Sequence, residues 1–345
     1  MKRFRAGIIG CGNIFPMHAV SVSQQPNAEL VAVCDNKPAV AAAAAERYHC
    51  RFYTDYRQMI DAEHLDVVHV CTPHYLHREM AVYALEHGAN VLTEKPMAIT
   101  LEDALAMQQA AIENKKILQV SFQNRFNPGS LLIQNTLRAG ELGKILSARM
   151  LVAWDRSDAY YSHSDWKGTW EKEGGGVVID QAIHTLDLMN WFIGEPPAFV
   201  DAAIHNRAHQ IIQVDDCAEG VIGYSSGLLA SFYAYNYNTW DAPIEIFLHC
   251  EKGTAELRGE RATICFRDGR QWMADRDPEE KFSFGNVKQY WGVSHLKEIT
   301  HLYQCLEEET IPRNTADEVM VTQRLVCAIY ESGKSGKRIS LAEKA

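Results

Sequence analysis

Residues 6–15 read Ala-Gly-Ile-Ile-Gly-Cys-Gly-Asn-Ile-Phe, and this stretch decides the fold. Ala6–Ile9 is a short apolar run of the kind that forms a buried strand. Gly10-Cys11-Gly12 follows it and precedes a helical stretch, Pro16–Gln25. Glycines there permit a tight turn and close backbone approach to a pyrophosphate seated on a helix N-terminus. Asn13 and Ile14 belong to the same turn. The third glycine position of such a turn holds Phe15, which predicts a different packing of helix on strand. A second apolar run, Leu30–Cys34, ends at Asp35, 25 residues after Gly10. A carboxylate there can accept both ribose hydroxyls and repels a 2′-phosphate, so the expected cofactor is NAD rather than NADP. Two glycines alone would be a chance turn; strand, turn and terminal Asp in order argue for a dinucleotide site.

Outward from this turn, strand and helix alternate. Pro38–Tyr48 reads as helix, Leu65–Cys71 as a third strand and Tyr75–His87 as a helix ended by Gly88. Asn90–Thr93 is a fourth strand, Leu101–Asn114 a helix and Ile117–Phe122 a fifth strand. Such alternation predicts parallel βαβ units in one Rossmann-type, doubly wound sheet. The character changes near Phe122–Asn127. After a helix at Leu131–Ala139 come the strand-like stretches Ile145–Trp154, Phe199–Ile204, Ala218–Tyr224, Leu228–Tyr237, Ile244–Cys250 and Thr254–Leu257. Gly turns such as Ser226-Gly227 join them, which predicts a large, open, mostly antiparallel sheet. Helices at Val177–Phe192 and Ala316–Glu331 make this half α+β. The expected domains are 1–122, binding NAD, and 123–345, binding substrate and carrying oligomer contacts.

The 345 residues are of average globular composition, with 34 basic and 44 acidic side chains and a formal charge of −10. Phosphate backbones need clustered Lys and Arg, so no nucleic-acid partner is expected. No run of 18 apolar residues occurs, and the start, Met-Lys-Arg-Phe-Arg, lacks a signal-type apolar core, so neither membrane span nor leader is expected. Nine cysteines without a C-x-x-C give neither a disulfide framework nor a zinc ribbon, and point to a reducing cytoplasm.

Three further segments carry chemistry. Cys71-Thr72-Pro73-His74-Tyr75-Leu76-His77 leaves the third strand, and Glu94-Lys95-Pro96 leaves the fourth. Gly174-Gly175-Gly176 precedes Asp180-Gln181-Ala182-Ile183-His184, with Asp187 one turn on. Lys95 lies past a strand's carboxyl end, where open α/β sheets place ligands. Asp180 and His184 are i and i+4 on the expected helix and share a face. Alcohol oxidation needs a base for the hydroxyl proton, and His suits neutral pH. Lys95 can donate to the substrate oxygen and stabilise alkoxide. The bland alternatives are a solvated lysine and a surface Asp–His pair. His74 and His77 as H-x-x-H lack further metal ligands, and no metal is expected. Packing near the cofactor or plain exposure serves for them instead.

In order along nearly the whole chain, these motifs resemble the Gfo/Idh/MocA family, the glucose–fructose oxidoreductase and inositol dehydrogenase family. The resemblance implies that Lys95, Asp180 and His184 form the catalytic group, with proton transfer divided between Lys95 and His184 in a way left open. It implies that Thr72, Pro73 and His77 lie along the cofactor with Gly10, Gly12, Asn13, Ile14, Asp35, Glu94 and Lys95. Asn124-Arg125 resembles a family position near cofactor and cleft; Arg125 serves equally well as a structural ion-pair residue. A homodimer or homotetramer through the second sheet is implied by resemblance alone.

Trp154 to Trp170 is a polar, aromatic loop holding Tyr160, Tyr161, His163, Asp165, Trp166 and Lys167. Sugar faces stack on aromatic rings, so Trp154, Tyr161 and Trp166 join Lys95, Arg125, Asp180 and His184 as substrate candidates. The loop could also be an oligomer contact or pack on itself. Tyr224, Tyr233, Tyr235 and Tyr237 are sheet residues, with Phe232 out of register, and suit core or subunit contact. Asp215-Asp216 reads as a turn. The expected function is NAD-dependent oxidation of a secondary hydroxyl on a sugar, cyclitol or related polyol. Two alternatives stand beside it: a redox-neutral, NAD-dependent glycoside hydrolase working through a transient keto-sugar, and a non-catalytic NAD or sugar sensor.

Overall fold

Short apolar runs alternating with helices, several of which start on Pro, Asp or Thr, build the first half of the chain. The computed structural model describes residues 3–282 and 289–341; residues 1–2, at the start of the first expected domain, and 283–288 and 342–345, in the second, lie outside the described residues. The chain divides into two units, residues 1–123 with 279–319 and residues 124–278 with 320–345.

In the first unit β1 (Phe4–Ile9) leads to α1 (Phe15–Ser23), β2 (Ala28–Cys34), α2 (Pro38–Tyr48) and β3 (Arg51–Tyr53). Then follow α3 (Tyr56–Glu63), β4 (Val67–Val70), α4 (His77–Glu86), β5 (Asn90–Thr93), α5 (Leu101–Asn114) and β6 (Leu118–Val120). Local chemistry sets the starts. Pro38 opens α2, Asp55 accepts the Arg57 amide at the start of α3, and Thr100 accepts that of Asp103 at the start of α5. All six strands are parallel, in the order β3-β2-β1-β4-β5-β6. That order reverses direction between β1 and β4, and a ligand crevice belongs at the carboxyl ends there. β4 is buried at all four positions, as a strand covered on both faces must be.

The second unit carries α6 (Pro128–Arg138), β7 (Ile145–Ala153), α7 (Asp158–Ser162), α8 (Ile183–Ile193) and β8 (Pro197–His205). It continues through β9 (Cys217–Tyr224), β10 (Leu229–Tyr235), β11 (Glu245–Cys250), β12 (Gly253–Arg258), β13 (Arg261–Phe266) and β14 (Gln271–Ala274). Then α9 (Gln289–Glu308) packs in the first unit, where Ile299, Leu302 and Tyr303 join the core under α1 and β2. Last come α10 (Ala316–Ser335) and β15 (Ile339–Ser340). The nine-stranded sheet runs β14-β13-β12-β11-β7-β10-β9-β8-β15. It is antiparallel except between β7 and β10. Along β10 buried Ala230, Phe232 and Ala234 alternate with exposed Leu229, Ser231 and Tyr233, so one face is core.

The fold class is therefore as expected, with differences in detail. β3, α3, α7 (inside the expected loop), β13, β14, α9 and β15 were not anticipated. The expected helix over Val177–Phe192 is a π-helical turn, Val177–Ala182, followed by α8. The third parallel strand is shorter than Leu65–Cys71, and a 3-10 turn at His74–Leu76 precedes α4.

Candidate active site

The first unit gathers its candidates at the carboxyl edge of one sheet. Gly10 has φ +93°, and a Cβ on it would lie 2.5 Å from the Cys71 carbonyl oxygen where β1 and β4 end side by side. A Cβ on Gly12 would meet nothing within 4 Å, so the turn is open on that side. Asp35 is drawn to this turn: its carboxylate accepts the Cys11 amide at 3.0 Å and the Lys37 amide at 2.9 Å. Asn13 is exposed and Ile14 half-buried at the start of α1. Phe15 replaces the usual glycine by packing into the core, edge-on to Tyr48 at 5.6 Å. A turn open at Gly12, a helix start and a neighbouring carboxylate fit NAD, with Gly10–Ile14 placed to hold the pyrophosphate and Asp35 the ribose.

Half-buried Thr72 and Pro73 follow β4. His74 and His77 are both buried, not exposed. The His77 ring meets the Pro96 carbonyl at 2.8 Å and the Thr72 carbonyl at 2.9 Å, tying the exits of β4 and β5 together. Burial lowers its pKa, outweighing the two carbonyls. Glu94 extends the β4–β5 pairing, its amide donating to Val70 O at 2.9 Å, and its side chain is buried. Lys95 comes next, half-buried, before the cis Pro96 peptide.

In the second unit Gly174 and Gly175 have φ +87° and +155°. A Cβ on Gly175 would fall 2.0 Å from the Tyr330 hydroxyl, and one on Gly176 would fall 1.9 Å from the Asp215 carbonyl oxygen. These glycines let the chain pass against α10 and enter the π-helical turn. Asp215 is more than a turn residue: its carboxylate accepts the Gly176 amide at 2.7 Å and the Val178 amide at 3.0 Å. Asp216 likewise accepts the amides of Arg207, Ala208 and His209. On the π-helical turn Asp180 Oδ2 accepts from Tyr160 O–H at 2.7 Å, Lys167 Nζ at 2.9 Å and Gln181 Nε2 at 2.6 Å. Lys167 also lies 3.8 Å from buried Glu173. His184 is half-buried in the first turn of α8.

Several expected substrate residues are engaged within the protein. Arg125 forms a buried two-pronged pair with Asp187 at 2.7 and 2.6 Å, the ion-pair alternative. Thr322 adds a hydrogen bond to the same carboxylate. Asn124 is half-buried in the 3-10 turn Gln123–Phe126. Tyr161 is buried against Ile212 and Val214, its hydroxyl accepting from Asn236 at 2.6 Å, so that part of the loop packs on itself. Trp154 donates to Ala242 O at 3.1 Å, and half-buried Trp166 lies 4.6 Å from the Lys167 ammonium. Tyr160 and Lys167, which touch Asp180, were named in the loop but not among the site residues. Their spacing to Asp180 carries no periodic signal.

The parallel sheet with its glycine turn and the carboxylate just after β2 defines a class: oxidoreductases with an NAD-binding Rossmann fold. A family model described as "Oxidoreductase family, NAD-binding Rossmann fold" matches residues 4–122, and one for the GFO/IDH/MocA C-terminal domain matches 131–256. The chain belongs to the GFO/IDH/MocA family of NAD-binding oxidoreductases. It is 28% identical to D-glucoside 3-dehydrogenase of Escherichia coli (strain K12), over 98% of this chain and 97% of the relative. It is 30% identical to inositol 2-dehydrogenase of Rhizobium meliloti (strain 1021), over 74% of this chain and 76% of the relative. Among solved structures it resembles the WlbA dehydrogenase from Bordetella pertussis in complex with NADH and UDP-GlcNAcA. The identity there is 28%, the TM-score 0.88 and the coverage 99% of each chain.

Proposed function

We propose that the protein is an NAD-dependent dehydrogenase of a secondary hydroxyl on a sugar, cyclitol or related polyol. The carrying observation is the gathering of Gly10, Asp35, Thr72 and Lys95 at the carboxyl edge of one parallel sheet. The named relatives are dehydrogenases, one of a glucoside and one of inositol, which supports this class over the hydrolytic and sensor readings. When bound, NAD supplies the hydride acceptor. The chain's own groups then handle the proton and the pose. Lys95 donates to the substrate oxygen and stabilises alkoxide character, while His184 takes the hydroxyl proton. Asp180, held by Lys167 and Tyr160, orients a substrate hydroxyl. Thr72, Pro73, His77, Glu94 and Asn124 serve the cofactor side, and Trp154 and Trp166 offer rings to a sugar face.

The first unit binds NAD, and the second binds substrate and carries the oligomer contact. Val221, Leu229 and Tyr233 are exposed on one face of β9 and β10, and such apolar faces serve association. We place the enzyme in the cytoplasm because none of the nine cysteines is in a disulfide. No helix among the described residues is long and apolar enough to cross a membrane.

The test is to release and identify the dinucleotide from purified protein, then follow NADH absorbance across a sugar and polyol panel. We expect NAD, and NADH formation with at least one polyol. Lys95→Met lowers kcat by about 100-fold or more and leaves NADH affinity within about threefold. Retained NAD with glycoside cleavage and no net NADH would instead establish the hydrolase.

A further inference from the structure

The first unit holds a buried polar chain of which the chemistry above uses only the last member, Glu94. Tyr303 of α9, His69 of β4, His18 of α1 and Glu94 after β5 lie end to end. Tyr303 Oη is 3.1 Å from His69 Nε2, His69 Nδ1 is 2.9 Å from His18 Nδ1, and His18 Nε2 is 2.9 Å from Glu94 Oε1. His295 of α9 reaches the same Glu94 oxygen at 3.4 Å. All five residues are buried.

The protons of this chain can be placed from either end. An ionised Glu94 has no proton to give, so His18 Nε2 donates to it. A neutral imidazole carries one N–H. His18 Nδ1 is therefore the acceptor, and the proton between the two rings sits on His69 Nδ1. His69 Nε2 is then bare and accepts from Tyr303. The other end demands the same direction. Among the described residues the Tyr303 hydroxyl meets only His69, so its hydrogen either points there or goes unpaired, which is costly for a buried hydroxyl. The charge states agree. Burial lowers His18 and His69, keeping both rings neutral. Burial would raise Glu94, but the hydrogen bond from His18 and the nearby His295 ring outweigh it and hold the carboxyl well below its usual range.

His18, Glu94 and His295 also bring two nitrogens and an oxygen within 4.8 Å of one another. A metal ion there would take His18 Nε2 without its proton. The chain would reverse, and the Tyr303 hydrogen would lose its acceptor. The proton count favours the chain without an ion.

We propose that His18 is a positioning residue: through this one-way chain it fixes the Glu94 carboxylate, and Glu94 seats the turn that presents Lys95. His77 holds the far side of that turn through Pro96 O. The inference rests on Lys95 acting on substrate.

The experiment pairs kinetics with imidazole 15N NMR on the full chain. His18→Leu removes both hydrogen bonds at similar volume. We expect kcat to fall by about 10- to 100-fold, with sugar KM and NADH affinity within about threefold, because a small displacement of a reacting group is costly. His18→Gln, which can still donate to Glu94, recovers part of kcat. In the wild type the NMR shows His18 protonated at Nε2 and His69 at Nδ1. Should His18→Leu fail to fold, His69→Phe cuts the chain one link back, with an expected loss in kcat of about 3- to 10-fold and no change in KM. The opposite tautomers, or a folded, NADH-binding His18→Leu with wild-type kcat, overturn the proposal. A wild type that binds NADH yet oxidises no polyol sinks the functional reading itself; an active wild type with an unaffected variant sinks only this inference.

Discussion

Two buried carboxyls, Asp180 and Glu173, share one ammonium, that of Lys167. Asp180 holds the closer contact and two further donors, so the cost of crowding falls on Glu173. Burial first, then Asp180, raise Glu173 to about 8, against the pull of Lys167. A carboxyl whose pKa is raised on folding stabilises the fold while it keeps its proton. Between the ordinary carboxyl range and pH 8 the unfolded chain ionises and the folded one does not, so stability falls across that window. Glu173→Gln removes the fall. Urea unfolding at pH 5 and pH 8.5 checks it: the variant matches wild type at pH 5 and exceeds it at pH 8.5 by about 1 kcal/mol or more. Parallel pH curves for the two proteins would sink the idea. At this scale the sequence was partly readable. Asp180 and His184 stand out because they sit at fixed offsets behind three glycines. Lys167 and Tyr160 do not, because the loop that brings them to Asp180 has no period. Arg125 and Asp187 are 62 residues apart, and nothing in that spacing announces a buried pair.

Elements were legible where chain geometry repeats. The strand–turn–helix at Ala6–Ser23 follows from apolar run, glycines and proline, and β10 from its alternation. The short β3 has two exposed residues of three, too little pattern to see. The π-helical turn at Val177–Ala182 has the apolar content of an ordinary helix; what distinguishes it is external. Asp215 takes two amides at its entry, and Gly176 lets the Asp215 backbone come close. Gly176→Ala sets a methyl 1.9 Å from a main-chain oxygen that is itself held in place. The cost of forcing it in is about 2–3 kcal/mol. We expect a lower urea midpoint and a loss of kcat through Asp180; unchanged values of both would mean the turn adapts freely.

At the scale of the molecule, the first unit is discontinuous: residues 279–319 complete it. The apolar spacing of Val293, Leu296, Ile299, Leu302 and Leu306 suits a helix, but nothing in the sequence says which sheet it covers. A fragment ending at Gln123 lacks Ile299, Leu302 and Tyr303, all fully buried. We expect it to bind a hydrophobic dye and to melt without a cooperative transition; a sharp melt would show that 1–123 suffices. The exposed face of the second sheet makes a separate claim. Tyr233→Lys lowers the molar mass in light scattering if that face joins subunits, and leaves it unchanged otherwise.

The discontinuity also sets a timetable for synthesis. Residues 124–278 number 155 and must be made before α9 emerges. At about 5–20 residues per second that is a delay of roughly 8–30 s. Throughout it, the nascent parallel sheet shows its uncovered flank to the cell. His69 waits for Tyr303 over the same interval, so the cofactor half, though first off the ribosome, cannot finish until α9 has followed it.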